Sequence, residues 1–91
     1  MTVRERAGEY GVAVRFVDLG DWGESELRSE YDPALREIRV HFKLAPELIE
    51  FAIAHELYHH REAIGEIEVL PARAEREAAA DAFAREMTAA R

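Results

Sequence analysis

The residues of this chain whose types and spacing could do chemistry are the pentad His55-Glu56-Leu57-Tyr58-His59. Residues four apart on a helix lie on one face, about 6 Å apart, so the two imidazoles could bind one Zn²⁺. The glutamate between them could reach a water molecule on that metal. A catalytic zinc site has three protein ligands and one open position, so two histidines alone are not enough. The pentad therefore predicts a metal site that needs a third ligand elsewhere.

The third ligand is expected on a second helix near the C-terminus, where Glu77 and Asp81 share one face. The chain between His59 and Glu77 allows a further turn of helix, a break at Gly65 and a return helix packed against the first. Asp81 could accept the second ring N–H of a ligand histidine, which fixes its tautomer and raises its basicity. Glu75 is the alternative ligand, although it points away from the face of Glu77. A solvated surface glutamate is the competing interpretation of Glu77.

The two motifs together resemble the gluzincin pattern of zinc metallopeptidases, and more closely the ImmA/IrrE-type peptidases and the very small minigluzincins. The segments that carry the resemblance are Ile53-Ala54-His55-Glu56-Leu57-Tyr58-His59-His60 and Glu77-Ala78-Ala79-Ala80-Asp81-Ala82-Phe83-Ala84. The chain departs from the family after Phe-Ala, where an apolar Leu-Leu-Met-Pro-like continuation is replaced by Arg85-Glu86-Met87-Thr88. The resemblance implies a zinc-dependent peptidase acting on a peptide or protein substrate. It assigns the zinc ligands to His55, His59 and Glu77, the general base to Glu56, and the second-shell partner of a ligand histidine to Asp81.

The implied mechanism is attack of a metal-activated water on a peptide carbonyl. Zinc would lower the pKa of its water and polarise the carbonyl, and Glu56 would carry the proton to the leaving amine. A second donor to the oxyanion is sought among Tyr31, His41, Tyr58 and His60. We expect Tyr58 to pack in the core, and His41 and His60 to lie at the surface.

Three alternatives stay open at this point. The chain could be a non-catalytic module that keeps zinc for stability and serves a regulatory or partner-binding role. Glu56 argues against this, because structural zinc is usually closed by four protein ligands and needs no acid beside an open position. The histidines could also be packed or solvated without any metal. The strong helix propensity of the Ala-, Glu- and Arg-rich segments fits an engineered hydrolase as well.

The elements that must position these residues are predicted to form a zincin-like α+β fold. A capping box, Thr2-x-x-Glu5, predicts a short first helix. Strands are expected over residues 12–18, 26–31 and 38–42, and they form a small three-stranded sheet. The third strand could be an edge, to which an extended peptide adds by main-chain pairing, or an edge without a ligand. Trp22 is expected to anchor its loop on the core, with a cover over the cleft as the alternative.

Two long helices are predicted to follow the sheet. Pro46 suits the first turn of the helix that carries the pentad, and Gly65 breaks that helix after about Ala63. Pro71 is expected to open the last helix, which supplies the third ligand. Its apolar stripe consists of Ala80, Phe83, Ala84 and Met87.

Size and composition limit the possible functions further. The 91 residues fit one minimal domain, 1–91. A net charge of −7 without a basic cluster argues against nucleic acid or anionic lipid as a partner. No apolar run is long enough for a membrane span, and the N-terminus lacks the apolar core of a signal peptide. The chain has no Cys, which excludes disulfides and thiolate ligands and is compatible with the expected cytoplasmic location.

Overall fold

A computed structural model describes residues 2–20 and 28–89. These residues form an α+β fold of three helices and a mixed three-stranded sheet. The predicted order of elements is observed. Trp22, which is expected to anchor its loop on the core, lies outside the described residues. In chain order the elements are α1 (Val3–Glu9), β1 (Ala13–Val17), β2 (Ser29–Asp32), β3 (Glu37–His41), α2 (Pro46–Ala63) and α3 (Arg73–Ala89).

The first helix, α1, begins at its predicted capping box. The Thr2 hydroxyl accepts from the Glu5 N–H at 3.1 Å, and the Glu5 carboxylate accepts from the Thr2 N–H at 3.0 Å. This reciprocal capping box satisfies two N–H groups that the first turn leaves without a helical acceptor. After the helix, Gly11 has a φ of 73°, a left-handed conformation that glycine adopts without steric cost. The inner face of α1, Val3 and Ala7, joins the hydrophobic core.

The strand order of the sheet is β1-β3-β2, with β1 parallel and β2 antiparallel to β3. The expectation that the third predicted strand lies at an edge of the sheet is therefore wrong. Ile38 and Val40 in β3 are fully buried, and a strand at the centre of the sheet can bury them best because it has neighbours on both sides. The antiparallel edge of the described sheet is β2, which also contacts α2.

Side chains alternate between the two faces of β3. Ile38 and Val40 point into the core, and Arg39 on the other face forms ion pairs with acidic neighbours. His41 was expected at the surface, but it is only 3% exposed. Its Nδ1 accepts a hydrogen bond of 3.0 Å from the Leu19 N–H, so the imidazole is buried with a partner.

The long helices α2 and α3 pack against each other and carry both sequence motifs. Pro46 stands in the first turn of α2, and Gly65, with a φ of 77°, follows its end, as predicted. The last helix begins at Arg73 rather than at Pro71. Its buried residues are Ala80 and Ala84, whose small side chains let its backbone come close to α2. None of the helices in the described ranges combines the length and apolar composition needed to cross a bilayer.

Candidate metal centre

Three side chains from the two packed helices converge at one point. His55 and His59 lie one turn apart on the same face of α2, and Glu77 reaches them from α3. One potential ligand atom from each residue lies within 4.8 Å of the other two. The Glu77 carboxylate is 2.8 Å from His55 Nε2 and 3.4 Å from His59 Nε2. The structure thus brings together the three predicted ligands, while the alternative ligand, Glu75, is exposed.

A further carboxylate holds the other ring nitrogen of each histidine. Asp81, one turn beyond Glu77, has Oδ1 2.8 Å from His55 Nδ1. Glu62, three residues beyond His59, has Oε1 2.7 Å from His59 Nδ1. In both imidazoles Nδ1 therefore faces an acceptor, and Nε2 turns toward Glu77. The contact of Asp81 agrees with its expected position, whereas sequence reasoning missed Glu62, although spacing of three on a helix could have suggested it.

The charges around the two imidazoles fit a bound cation. The carboxylates of Glu62, Glu77 and Asp81 each lie within hydrogen-bond or ion-pair distance of a ring nitrogen. With neutral imidazoles the group carries an excess of negative charge, which a divalent ion between the Nε2 atoms and Glu77 would offset. Two imidazole nitrogens and a carboxylate oxygen form one of the ligand sets of catalytic zinc. The Glu77 side chain is 44% exposed, so the site is open to solvent on its α3 side.

Glu56 is buried beside this group, with 6% of its surface exposed. Its Oε2 accepts a hydrogen bond of 2.7 Å from the Ser29 hydroxyl on β2. Burial raises the pKa of the Glu56 carboxyl, and the hydrogen bond from Ser29 and the nearby imidazoles oppose part of that rise. A carboxylate whose pKa moves toward neutrality can both take and return a proton, which is the property a general base requires.

The expectation that His60 is an exposed neighbour of the pentad is wrong, because only 1% of it is exposed. Its Nδ1 lies 2.6 Å from the Tyr31 hydroxyl, and the rings of Tyr10 and Tyr31 contact it edge-on. Burial lowers the pKa of His60, since the charged imidazolium is poorly solvated there. His60 and Tyr31 are thus engaged with each other.

Two side-chain hydrogen bonds fasten β2 to α2. On the strand, Ser29 bonds to Glu56 and Tyr31 bonds to His60. The two strand residues are two apart, and the two helix residues are four apart. Two residues of strand span about 6.6 Å and four residues of helix about 6 Å, so the two spacings match. The edge strand is therefore held in register with the pentad helix.

Tyr58 is the remaining candidate for a donor to the oxyanion, and it is half-buried between the two long helices. Its ring centroid lies 5.9 Å from that of Phe83 on α3 and 5.9 Å from that of His59. The predicted packing role of Tyr58 agrees with these contacts.

No protein-family model matches this chain, and no curated protein or solved structure matches it either. The resemblance to gluzincins therefore rests on the residues of α2 and α3, and function must be argued from their geometry.

Proposed function

We propose that the protein is a zinc-dependent peptidase with a zincin-like fold, of the gluzincin type. The observation that carries this proposal is the convergence of His55 Nε2, His59 Nε2 and the Glu77 carboxylate beside a buried glutamate. Three protein ligands would leave one position of a bound zinc ion open, which catalysis requires. A structural ion would need a fourth protein ligand, and the group within the described ranges consists of these three residues.

Zn²⁺ in this site would supply an acidified water and a Lewis acid for the peptide carbonyl. Glu56 takes the proton of the attacking water and delivers it to the amine that leaves. The Ser29 hydroxyl holds one oxygen of that carboxylate, and the other oxygen is left to work as the base. Asp81 accepts from His55 Nδ1 and so keeps the lone pair of Nε2 directed at the metal position.

The proposed substrate is an extended segment of a peptide or protein. In the described part of the chain, β3 is the strand partner of β2, so the other edge of β2 can pair with a peptide main chain. Ser29 of this strand contacts Glu56 directly, which brings a peptide on β2 close to the proposed base. The acidic net charge disfavours nucleic acid as a partner. The cytoplasm is the proposed location of the protein.

A non-catalytic zinc-stabilised module is the second candidate. The observation that favours it is the buried Ser29–Glu56 hydrogen bond, which would also satisfy a glutamate of purely structural purpose. Such a module would use zinc to join α2 to α3 and would serve a regulatory or partner-binding role.

Metal analysis and one substitution separate the candidates. Zinc-loaded wild type is expected to contain close to one zinc per chain and to cleave an unfolded protein such as casein. Glu56→Gln keeps the three ligands, so it should retain zinc and lose about 10²–10⁴-fold in kcat. Glu47→Gln, on the exposed first turn of α2, is the matched control and should change neither property.

Each outcome of this experiment selects one candidate. A wild type that takes up no zinc contradicts both. Zinc binding with no detectable cleavage by either protein indicates the non-catalytic module, whereas detectable and equal cleavage by wild type and Glu56→Gln removes Glu56 as the base.

A further inference from the structure

Glu62 lies next to the proposed zinc site but is not one of its three ligands. It follows His59 by three residues on α2, and its Oε1 is 2.7 Å from His59 Nδ1. Its side chain is only 9% exposed. The second oxygen, Oε2, is buried and has no hydrogen-bond partner among the described residues.

The burial of Glu62 calls for an explanation beyond local pairing. Glutamate and histidine three apart on an exposed helix face gain little from each other. A buried carboxylate with one unsatisfied oxygen is unfavourable, and an apolar residue of similar size would remove that cost. What Glu62 supplies that an apolar residue cannot is an acceptor for His59 Nδ1.

We propose that Glu62 is a positioning residue that orients His59 for the metal, an inference that rests on the proposed zinc function. By accepting from Nδ1, Glu62 fixes the tautomer in which the lone pair of His59 is on Nε2, the atom 3.4 Å from Glu77. The negative charge also makes the imidazole a stronger ligand.

The two histidines are held in different ways. Asp81, whose side chain is 41% exposed, reaches His55 from α3. That contact therefore forms only when the two long helices pack together. Glu62 belongs to α2 itself, like His59. The orientation of His59 is therefore set within one helix, and the approach of α3 completes the ligand group by adding Glu77.

Zinc affinity of three variants tests this inference. Affinity is measured by competition with a chromophoric chelator for wild type, Glu62→Leu, Glu62→Ala and Glu62→Gln. The Leu and Ala variants lack the acceptor and should bind zinc 10–100-fold more weakly, the usual effect of losing a partner of a ligand histidine. Glu62→Gln keeps an oxygen that can accept from Nδ1, so it should recover part of the loss. Glu47→Gln, exposed on the same helix, is the control and should bind as wild type does.

The visible absorption spectrum of the Co²⁺-substituted protein separates positioning from a merely structural role. Its bands should shift in the Leu and Ala variants and return toward those of wild type in Glu62→Gln. Zinc affinity within twofold of wild type for Glu62→Ala, with an unchanged Co²⁺ spectrum, overturns the inference even if the zinc-free variant melts earlier. The alanine variant decides the question where Glu62→Leu does not fold. Failure of wild type itself to bind zinc overturns the proposed function and this inference together, whereas equal zinc affinities and equal Co²⁺ spectra of wild type and Glu62→Ala overturn this inference alone.

Discussion

At the level of residues, the site is defined by which atom of each side chain is already occupied. The Nδ1 atoms of His55 and His59 face Asp81 and Glu62, so both Nε2 atoms are left for a common partner. In Glu56 the Ser29 hydroxyl takes one oxygen in the same way. The hydrogen bonds around the site therefore determine which atoms would remain free for a metal ion and for the proposed chemistry.

Ser29→Ala tests the role of the hydroxyl that contacts Glu56. The substitution leaves a buried carboxylate oxygen without its donor, which should lower the free energy of unfolding by about 1–3 kcal/mol. Zinc affinity should stay within twofold of wild type, because no proposed ligand is touched, while kcat on casein should fall by about tenfold if Glu56 is the base, since it loses its fixed position. Urea denaturation, zinc titration and casein cleavage measure the three effects.

Ser29→Thr is the companion variant, because it restores a hydroxyl at the same position. Recovery of both stability and kcat in Ser29→Thr supports the assigned contact. Unchanged stability in Ser29→Ala would show that the hydrogen bond does not stabilise the fold.

At the level of elements, the outer face of the sheet is held together by charge. Arg39 at the centre of β3 forms ion pairs with Glu30 and Asp32 of β2 and with Glu37 of its own strand. Burial acts to raise the pKa of Glu37, but hydrogen bonds from Arg39 and Arg15 outweigh it and lower the pKa. The pKa of Asp32 is lowered as well, first by the Leu35 N–H in the turn and also by Arg39. Both carboxylates therefore favour folding in their ionised forms.

Arg39→Met should make the sheet less stable at neutral pH and less sensitive to acid. A carboxyl whose folded pKa is depressed contributes stability above its unfolded pKa, and that contribution is lost as pH falls through the folded value. In wild type, Tm should fall between about pH 5 and pH 3, where carboxyl groups protonate. Without Arg39 the acids repel one another at pH 7, and their protonation at lower pH relieves that repulsion. The difference in Tm between wild type and Arg39→Met should therefore shrink as the pH falls.

Circular dichroism melts of zinc-free protein across this pH range measure the effect. Arg85→Met, on the exposed face of α3, is the control for removal of one positive charge. A Tm difference of the same size at pH 3 and pH 7 would mean that Arg39 stabilises the sheet through its packing and not through its charge.

The local pattern of the sequence predicts the helices well because their signals are short in range. A capping box, a proline in the first turn and a glycine after the last turn mark α1 and α2, and spacing of four places His55 and His59 on one face. The meeting of Glu77 with these histidines also follows, since a break between two helices of similar length predicts an antiparallel pair.

Features that depend on distant neighbours could not be predicted in this way. Alternation marks β3 as a strand, but its central place depends on which strands pair with it, and alternation does not specify that. His41 and His60 were expected at the surface because they are polar. Their burial depends on partners 22 and 29 residues away, the Leu19 N–H and the Tyr31 hydroxyl.

At the level of the whole molecule, the metal would bridge the interface between α2 and α3, to which α3 contributes mainly small buried side chains. The core consists mainly of small and medium aliphatic residues from α1, the sheet and α2. The last helix contributes two buried alanines to it, with Phe83 and Met87 packed partly against its edge. Bonds from His55 and His59 on one helix and Glu77 on the other to the same ion would join α3 to the rest of the fold.

Zinc should therefore raise the Tm of the whole domain, and Glu77 should be required for most of that rise. Free zinc at 100 times its Kd stabilises the folded state by about 2.7 kcal/mol. In a domain of this size each kcal/mol corresponds to about 4–8 °C, so Tm in zinc should exceed Tm in EDTA by about 10–20 °C. Glu77→Ala loses the one proposed ligand that lies on α3 and should keep less than half of this shift, while its Tm in EDTA should stay close to that of wild type. Glu75→Ala, exposed on the same helix, should show the full shift. An equal shift in Glu77→Ala and wild type would mean that the third ligand lies elsewhere, and that zinc does not stabilise the fold by joining α3 to α2.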